Sequence, residues 1–179
     1  IKGDLTLNIS LKRGIVVSGV VRDQDGNRLR GAFLNLSDPA TKQNYGASTD
    51  ADGAYSLVVL PGAYTLRVTP PQGAPLLPLT KEGLSITADL RLDLSLEKGK
   101  VLSGRVTDPD GKPLQNASVN LKDTQKPGGG FGSTDAEGRY RIAVPPGTYN
   151  VTVSPPRNTV FIVKNIQLYQ IAADQTLDI

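Results

Sequence analysis

"STDADGAYSLVVLPGAYTLRV" occupies residues 48–68, and 85 residues later the chain reads "STDAEGRYRIAVPPGTYNVTV", residues 133–153. Each copy has a turn ending in Gly53 or Gly138, then an alternating run, then Pro-Gly, then a second alternating run. Tyr140, Ile142 and Val144 alternate with polar or small residues, as do Tyr149, Val151 and Val153. A period of two marks strands with one buried face. Gly53 and Gly138 are expected at positive φ, where a Cβ is disfavoured. Tyr55, Tyr64, Tyr140 and Tyr149 are expected to anchor a core with their hydroxyls near its rim.

The same register extends outward without a gap. Gly14 falls on Gly99, Asp25-Gly26 on Asp110-Gly111, Leu29 on Leu114, Ala32 on Ala117 and Pro70-Pro71 on Pro155-Pro156. Between residues 14 and 71, 26 of 58 positions are identical in the two copies. "ITADLRLDL" (86–94) lies over "IAADQTLDI" (171–179), and "IKGDLTLNI" (1–9) matches the same pattern. The repeat divides the chain into residues 1–13, read as the last strand of a preceding repeat, and two whole repeats, 14–96 and 97–179. A unit of ~85 residues can bury a core of its own, unlike a solenoid repeat. Asp-Gly turns ("DQDGN", "DPDGK") and Pro-Gly turns recur every 8–12 residues, the spacing of a β-sandwich. Strands of the first repeat are expected near 14–23, 32–38, 45–50, 54–60, 63–69, 75–87 and 89–96. The fold class is all-β: two tandem seven-stranded Greek-key sandwiches, arranged end to end.

Composition removes much chemistry. The 179 residues include no cysteine and no histidine, so disulfides, thiolate nucleophiles, imidazole bases and His- or Cys-ligated metals are excluded. The 20 basic and 17 acidic residues give a net charge of +3. No basic cluster interleaved with aromatics points to nucleic acid. No apolar run reaches the ~18 residues of a membrane-spanning helix. The chain opens on Ile1 rather than methionine and reads as a piece of something longer.

The pattern G-x-V-x-D-x-D-G-x-x-L-x-x-A, then T-D-x-x-G-x-Y, then P-G-x-Y-x-[LV]-x-V resembles the carboxypeptidase regulatory-like domain. Here it stands as "SGRVTDPDGKPLQNASVNL", "STDAEGRY" and "VPPGTYNVTV", with a matching first copy. The resemblance implies a transthyretin-like sandwich without catalytic residues. In bacteria such modules recur in long secreted or cell-surface proteins. The expected role is therefore a non-catalytic spacer, stalk or scaffold of an extracellular protein, with neighbouring repeats as its partners. The alternative is an adhesion module that binds glycan or protein with its loop tips.

Six residue sets compete for attention. Asp23, Asp25, Asp50 and Asp52, with Asp108, Asp110, Asp135 and Glu137 in the second repeat, are oxygen ligands of the kind Ca²⁺ takes. They are also ordinary turn residues, and the expectation is no metal and no cofactor. Tyr45 and Phe131 are the candidates for ligand contact, since the repeat accounts for four of the six tyrosines. Phe131 sits in "KPGGGFG", expected to be a loop. Lysine–asparagine cross-linking of the kind found in Cna-type repeats is not expected, because the relevant positions hold Val20, Arg105, Val68 and Val153. Asn8, Asn35, Asn116 and Asn150 form Asn-x-Ser/Thr sequons, expected as accidents of Ser/Thr-rich strands. Leu5, Leu7, Ile9 and Leu11 form an apolar stripe in the orphan strand. The short tether Glu97–Gly99 is expected to restrict hinging by excluded volume, with Lys98 and Lys100 near the acidic turns.

Overall fold

A computed structural model describes residues 13–179, so the stripe Leu5–Leu11 and the sequon at Asn8 lie outside the described residues. The first domain contains β1 (Ile15–Asp23), β2 (Phe33–Ser37), β3 (Asn44–Ser48), β4 (Ala54–Val59), β5 (Gly62–Thr69), β6 (Leu79–Ile86), β7 (Leu90–Arg91) and β8 (Leu94–Leu96). The second contains β9 (Lys100–Arg105), β10 (Ser118–Asp123), β11 (Gly129–Ser133), β12 (Arg139–Val144), β13 (Gly147–Ser154), β14 (Lys164–Ile171) and β15 (Gln175–Thr176). Each domain is a sandwich. The first pairs a β4–β1–(β7, β8) sheet with a β3–β2–β5–β6 sheet, and the second pairs β12–β9–β15 with β11–β10–β13–β14. The β7 and β8 segments share one strand position, so each domain has seven.

Alternation along each strand supplies the inner faces. In the first core Val17, Leu34, Leu36, Leu66 and Val68 are almost fully buried; Val119, Leu121, Tyr149, Val151 and Val153 do the same in the second. The two apolar clusters are separate.

The last strand of each domain runs parallel to the first and closes the sandwich, and it is not the continuous strand 89–96 that alternation predicts. It breaks at Leu92 and Asp93. Val17–Ser18 pair with Leu90–Arg91, and Val21–Asp23 pair with Leu94–Leu96. In the gap, Asp93 Oδ1 accepts the Val20 N–H at 2.9 Å, and Leu92 N–H donates to Ser18 O at 2.8 Å. Asp89 Oδ1 likewise accepts the Val16 N–H. Leu92 lies against Gly19: a Cβ there would sit 2.0 Å from the Leu92 carbonyl oxygen. The second domain repeats this with Gly104 and Leu177 O, also 2.0 Å, and with Asp174 and Asp178 on the Val101 and Arg105 amides. Side-chain carboxylates thus complete a ladder that the kinked backbone leaves incomplete.

Three other strand expectations are corrected. β6 starts at Leu79, not at 75, because Pro75 and Pro78 cannot donate to a ladder, and residues 75–77 bond elsewhere. β3 ends at Ser48, since Thr49 and Asp50 belong to the turn. Residues 129–133 are strand β11 rather than loop. Gly130 and Gly132 occupy the places of Tyr45 and Ala47, and a Cβ on Gly130 would meet Ile142 and Val144 side chains at 2.5 and 2.6 Å. Those two residues fill the space that Tyr45 fills in the first domain.

Gly104→Ala should lower the stability of the second domain by about 1–3 kcal/mol, the range for overpacking a tight site. It should also strip exchange protection from the Leu177 and Ile179 amides, which bond Ser103 O and Arg105 O. Urea unfolding with amide exchange measures both, and unchanged protection would show that the contact does not hold the strand.

Candidate functional site

Strand alternation places the loops after β1, β3 and β5, and the end of β8, at one pole of the first domain. This far pole carries Asp23, Asp25, Asp50 and Asp52. The Asp23 and Asp50 carboxylates are engaged with local backbone. Asp23 Oδ1 accepts the Asp25 and Asn27 N–H groups at 2.9 and 2.8 Å, and Asp50 Oδ1 accepts those of Asp52 and Ala54 at 2.9 Å each. The Asn27 side-chain amide, ahead of these backbone donors, holds the Asp23 carboxyl below its ordinary range. Asp52 lies 3.6 Å from Arg28, and Asp25 pairs with Lys98. The second domain repeats the pattern: Asp108 binds the Asp110 and Lys112 amides, and Asp135 binds those of Glu137 and Arg139. Among the described residues, no three carboxylates gather as an ion-binding group.

One residue of the same turns escaped the sequence reading. Thr49 is buried; its Oγ1 accepts the Ala32 N–H at 2.9 Å and donates to Leu29 O. Thr134 does the same with Ala117 and Leu114. The threonine of "STD" therefore ties the β1–β2 loop to the β3–β4 turn. The signal available was its identity in both copies beside an Asp that already explained the turn.

The four repeated tyrosines bond main chain across the core. Tyr55 donates to Leu92 O at 2.6 Å and Tyr140 to Leu177 O at 2.6 Å, in the gap of the last strand. Tyr64 and Tyr149 each donate to a carbonyl four residues upstream, Leu60 and Pro145. Burial, reinforced by Asp93, pushes the Tyr55 phenol up to about 12. Burial raises Tyr140 as well, with Tyr169 and Asp178 adding to it.

The two aromatic ligand candidates lie in different settings. Tyr45 is half-buried, packs edge-on against Tyr64 with centroids 5.9 Å apart, and donates to Gln43 Oε1. Phe131 is 65% exposed on edge strand β11. It borders an open groove of about 1330 Å³ between β11 and β12 on one side and the 70–74 loop of the first domain on the other. Arg67, Arg105, Arg139 and Arg141 also line this groove. Of the sequons, Asn35 has a buried Oδ1 without a hydrogen bond, Asn116 lies in an exposed turn, and Asn150 accepts the Leu168 N–H. Val20, Val68 and Val153 are core residues.

The tether between the domains is bonded rather than merely short. Leu77 N–H donates to Glu97 O at 2.8 Å, Gly99 N–H donates to Pro75 O at 3.0 Å, and Leu76 faces Lys98 in an antiparallel bridge. Lys98 N–H reaches Gln24 Oε1 at 3.2 Å. Leu77 Cδ2 lies so close to Gly99 that a Cβ there would come within 2.6 Å of it and 3.0 Å of Val144 O. A loop of the first domain thus touches the near pole of the second.

The carboxypeptidase regulatory-like domain model matches residues 16–97 and again 101–179. Halomucin of Haloquadratum walsbyi is 25% identical over 135 residues, which are 75% of this chain and 2% of halomucin. The chain thus spans a small fraction of that relative. Among solved structures, a streptococcal ancillary pilin aligns with 94% of this chain and 62% of its own at 16% identity and a TM-score of 0.41. Fervidolysin from Fervidobacterium pennivorans, described as a keratinolytic enzyme related to subtilisin, aligns with 88% of this chain and 27% of its own at 15% identity and a TM-score of 0.41. The chain belongs to the carboxypeptidase regulatory-like domain family, as two tandem members.

Two outcomes are expected. Calorimetric titration with Ca²⁺ should give no stoichiometric micromolar site; a clear isotherm lost in Asp50→Asn with Asp52→Asn would overturn the turn-lock role of these acids. Stability should fall as pH rises from about 10 towards 12, because the unfolded tyrosines release protons that folded Tyr55 retains. Urea unfolding between pH 8 and 11 should show this loss, and a shallower one in Tyr55→Phe.

Proposed function

We propose that the two domains are a non-catalytic spacer in a larger cell-surface or secreted protein, of the kind bacteria build from repeated modules. The observation that carries this reading is the joint. Three residues, Glu97–Gly99, connect the sandwiches, and backbone hydrogen bonds on both sides of the bridge clamp them to residues 75–77. A flexible linker would be Gly/Ser-rich and free of such bonds. A spacer needs each module to hold its neighbour at a defined angle, and bonds of this kind on the connecting residues support that reading. The match to 2% of halomucin is in keeping with modules of this kind forming small parts of very long chains. No helix is long and apolar enough to cross a membrane among the described residues.

A second reading has one observation in its favour: Phe131, exposed beside an arginine-lined groove. An aromatic face with flanking guanidinium groups suits a glycan or a protein segment.

Small-angle scattering in solution should fit a single narrow distribution of interdomain angles. A broad distribution would overturn the spacer reading. On a glycan array, reproducible binding lost in Phe131→Ala but kept in Tyr45→Ala would establish the second reading in its place.

A further inference from the structure

The far pole of the second domain carries an apolar run that the first domain uses for docking. By the 85-residue register, Val160, Phe161, Ile162 and Val163 stand where Pro75, Leu76, Leu77 and Pro78 do. In the first domain Leu76 is buried in that domain's own core, and Leu77, half-buried, lies against Gly99 at the entry to the second domain. In the second domain Phe161 is half-buried and the other three are exposed. Val160 is 93% exposed, Ile162 89% and Val163 48%. Three exposed apolar residues in a run of four have a high cost in solubility unless something covers them. Where the first copy has Pro75 and Pro78, the second has Val160 and Val163, so the run is more apolar at the exposed pole.

The occupant follows from the established joint. We infer that residues 160–163 dock the near pole of a further carboxypeptidase regulatory-like module, seated as the second domain is seated on the first. This rests on the spacer reading and names the partner of its exposed end. The Ile162 N–H and Val160 carbonyl take the roles of the Leu77 N–H and Pro75 carbonyl, bonding the connecting residues of the partner. Asp110 takes the role of Asp25, whose carboxylate pairs with Lys98; among the described residues Asp110 has no ion pair. Pro109 replaces Gln24, so the bond from Gln24 to the Lys98 amide has no counterpart. The first domain's own near pole shows what such a partner presents. Arg13 and Gly14 stand where Lys98 and Gly99 do, beside Val58, which is 58% exposed, and Val16, which is 38% exposed. One end offers the apolar run and an unpaired acid, and the other offers a glycine seat, apolar rim and base.

The test uses amide exchange on the full chain and on a chain extended by a further copy of residues 95–179 directly after Ile179. That fusion keeps register, because Ile179 stands where Leu94 does. In the full chain, the Leu77 and Gly99 amides should be protected and the Ile162 amide open. In the extended chain, the Ile162 amide and the added copy's Gly99 amide should slow by about tenfold or more. Ile162→Asp should abolish that added protection and leave Leu77 unchanged; its exposure makes the substitution harmless to folding, which an unchanged unfolding midpoint of the unextended variant checks. Free exchange at Leu77 and Gly99 in the full chain would refute the spacer reading itself. Protection there with Ile162 still open in the extended chain would refute only the docking inference.

Discussion

In each sandwich two main chains approach closely: the last strand lies on Gly19 or Gly104 of the first, so tightly that a methyl group would meet a carbonyl oxygen at 2.0 Å. Much of the repeated sequence serves that contact. The kink that allows it takes Leu92 and Asp93 out of the ladder, which frees the Val20 amide and the Leu92 carbonyl. Asp93 satisfies the amide and Tyr55 satisfies the carbonyl. Buried main-chain groups left without partners would cost about 1–3 kcal/mol each, so glycine, aspartate and tyrosine act as one unit. Because first and last strands are parallel neighbours, this unit also decides where the chain leaves the domain: at the far pole, among the Asp-Gly turns.

The exit point explains the joint. A chain leaving beside the 70–78 loop can bond that loop before it enters the next sandwich. Pro75 and Pro78 keep residues 75–77 out of β6 and leave their polar groups for the connecting residues. The Lys98–Asp25 pair is half-exposed and contributes little; the backbone bonds and the Leu77 contact carry the connection.

What the sequence revealed follows from the range of each signal. Alternation and turn chemistry are local, so the strands, the Asp-Gly turns and the positive φ of Gly53 and Gly138, 67° and 73°, were legible. The repeat made domain count legible by itself. Contacts between distant segments were not. Nothing near Gly19 says that Leu92 will lie on it, and Leu92 sits within an unbroken alternation that reads as one strand. Thr49 looked like part of an Asp turn, and its bonds to Leu29 and Ala32 cross a gap of 17–20 residues. "KPGGGFG" read as a loop because glycine disfavours strands, yet tertiary context overrode propensity: Ile142 and Val144 occupy the room that the missing side chains leave. For the candidate site, the acidic turns were visible as residue types, while their engagement by backbone amides needed the fold.

The divergence between the two copies has a physical pattern of its own. Residues 39–47 share no identity with 124–132, although identity resumes at once with Ser48-Thr49-Asp50 and Ser133-Thr134-Asp135. This stretch is the β2–β3 connection and edge strand β3, or β11, which pairs on one side only. This edge strand takes no part in closure or in the joint, so its sequence can drift at little cost to either. The aromatic inventory shifts accordingly. The first domain places Tyr45 inward and Phe33 over Gly46, whereas the second places glycine inward, Ser118 opposite, and Phe131 outward into solvent. The outward aromatic thus appears where substitution is least constrained by folding and where the groove between domains opens. A recognition surface, if one of these domains carries it, can be rewritten there without disturbing Gly104, Asp178 or Tyr140.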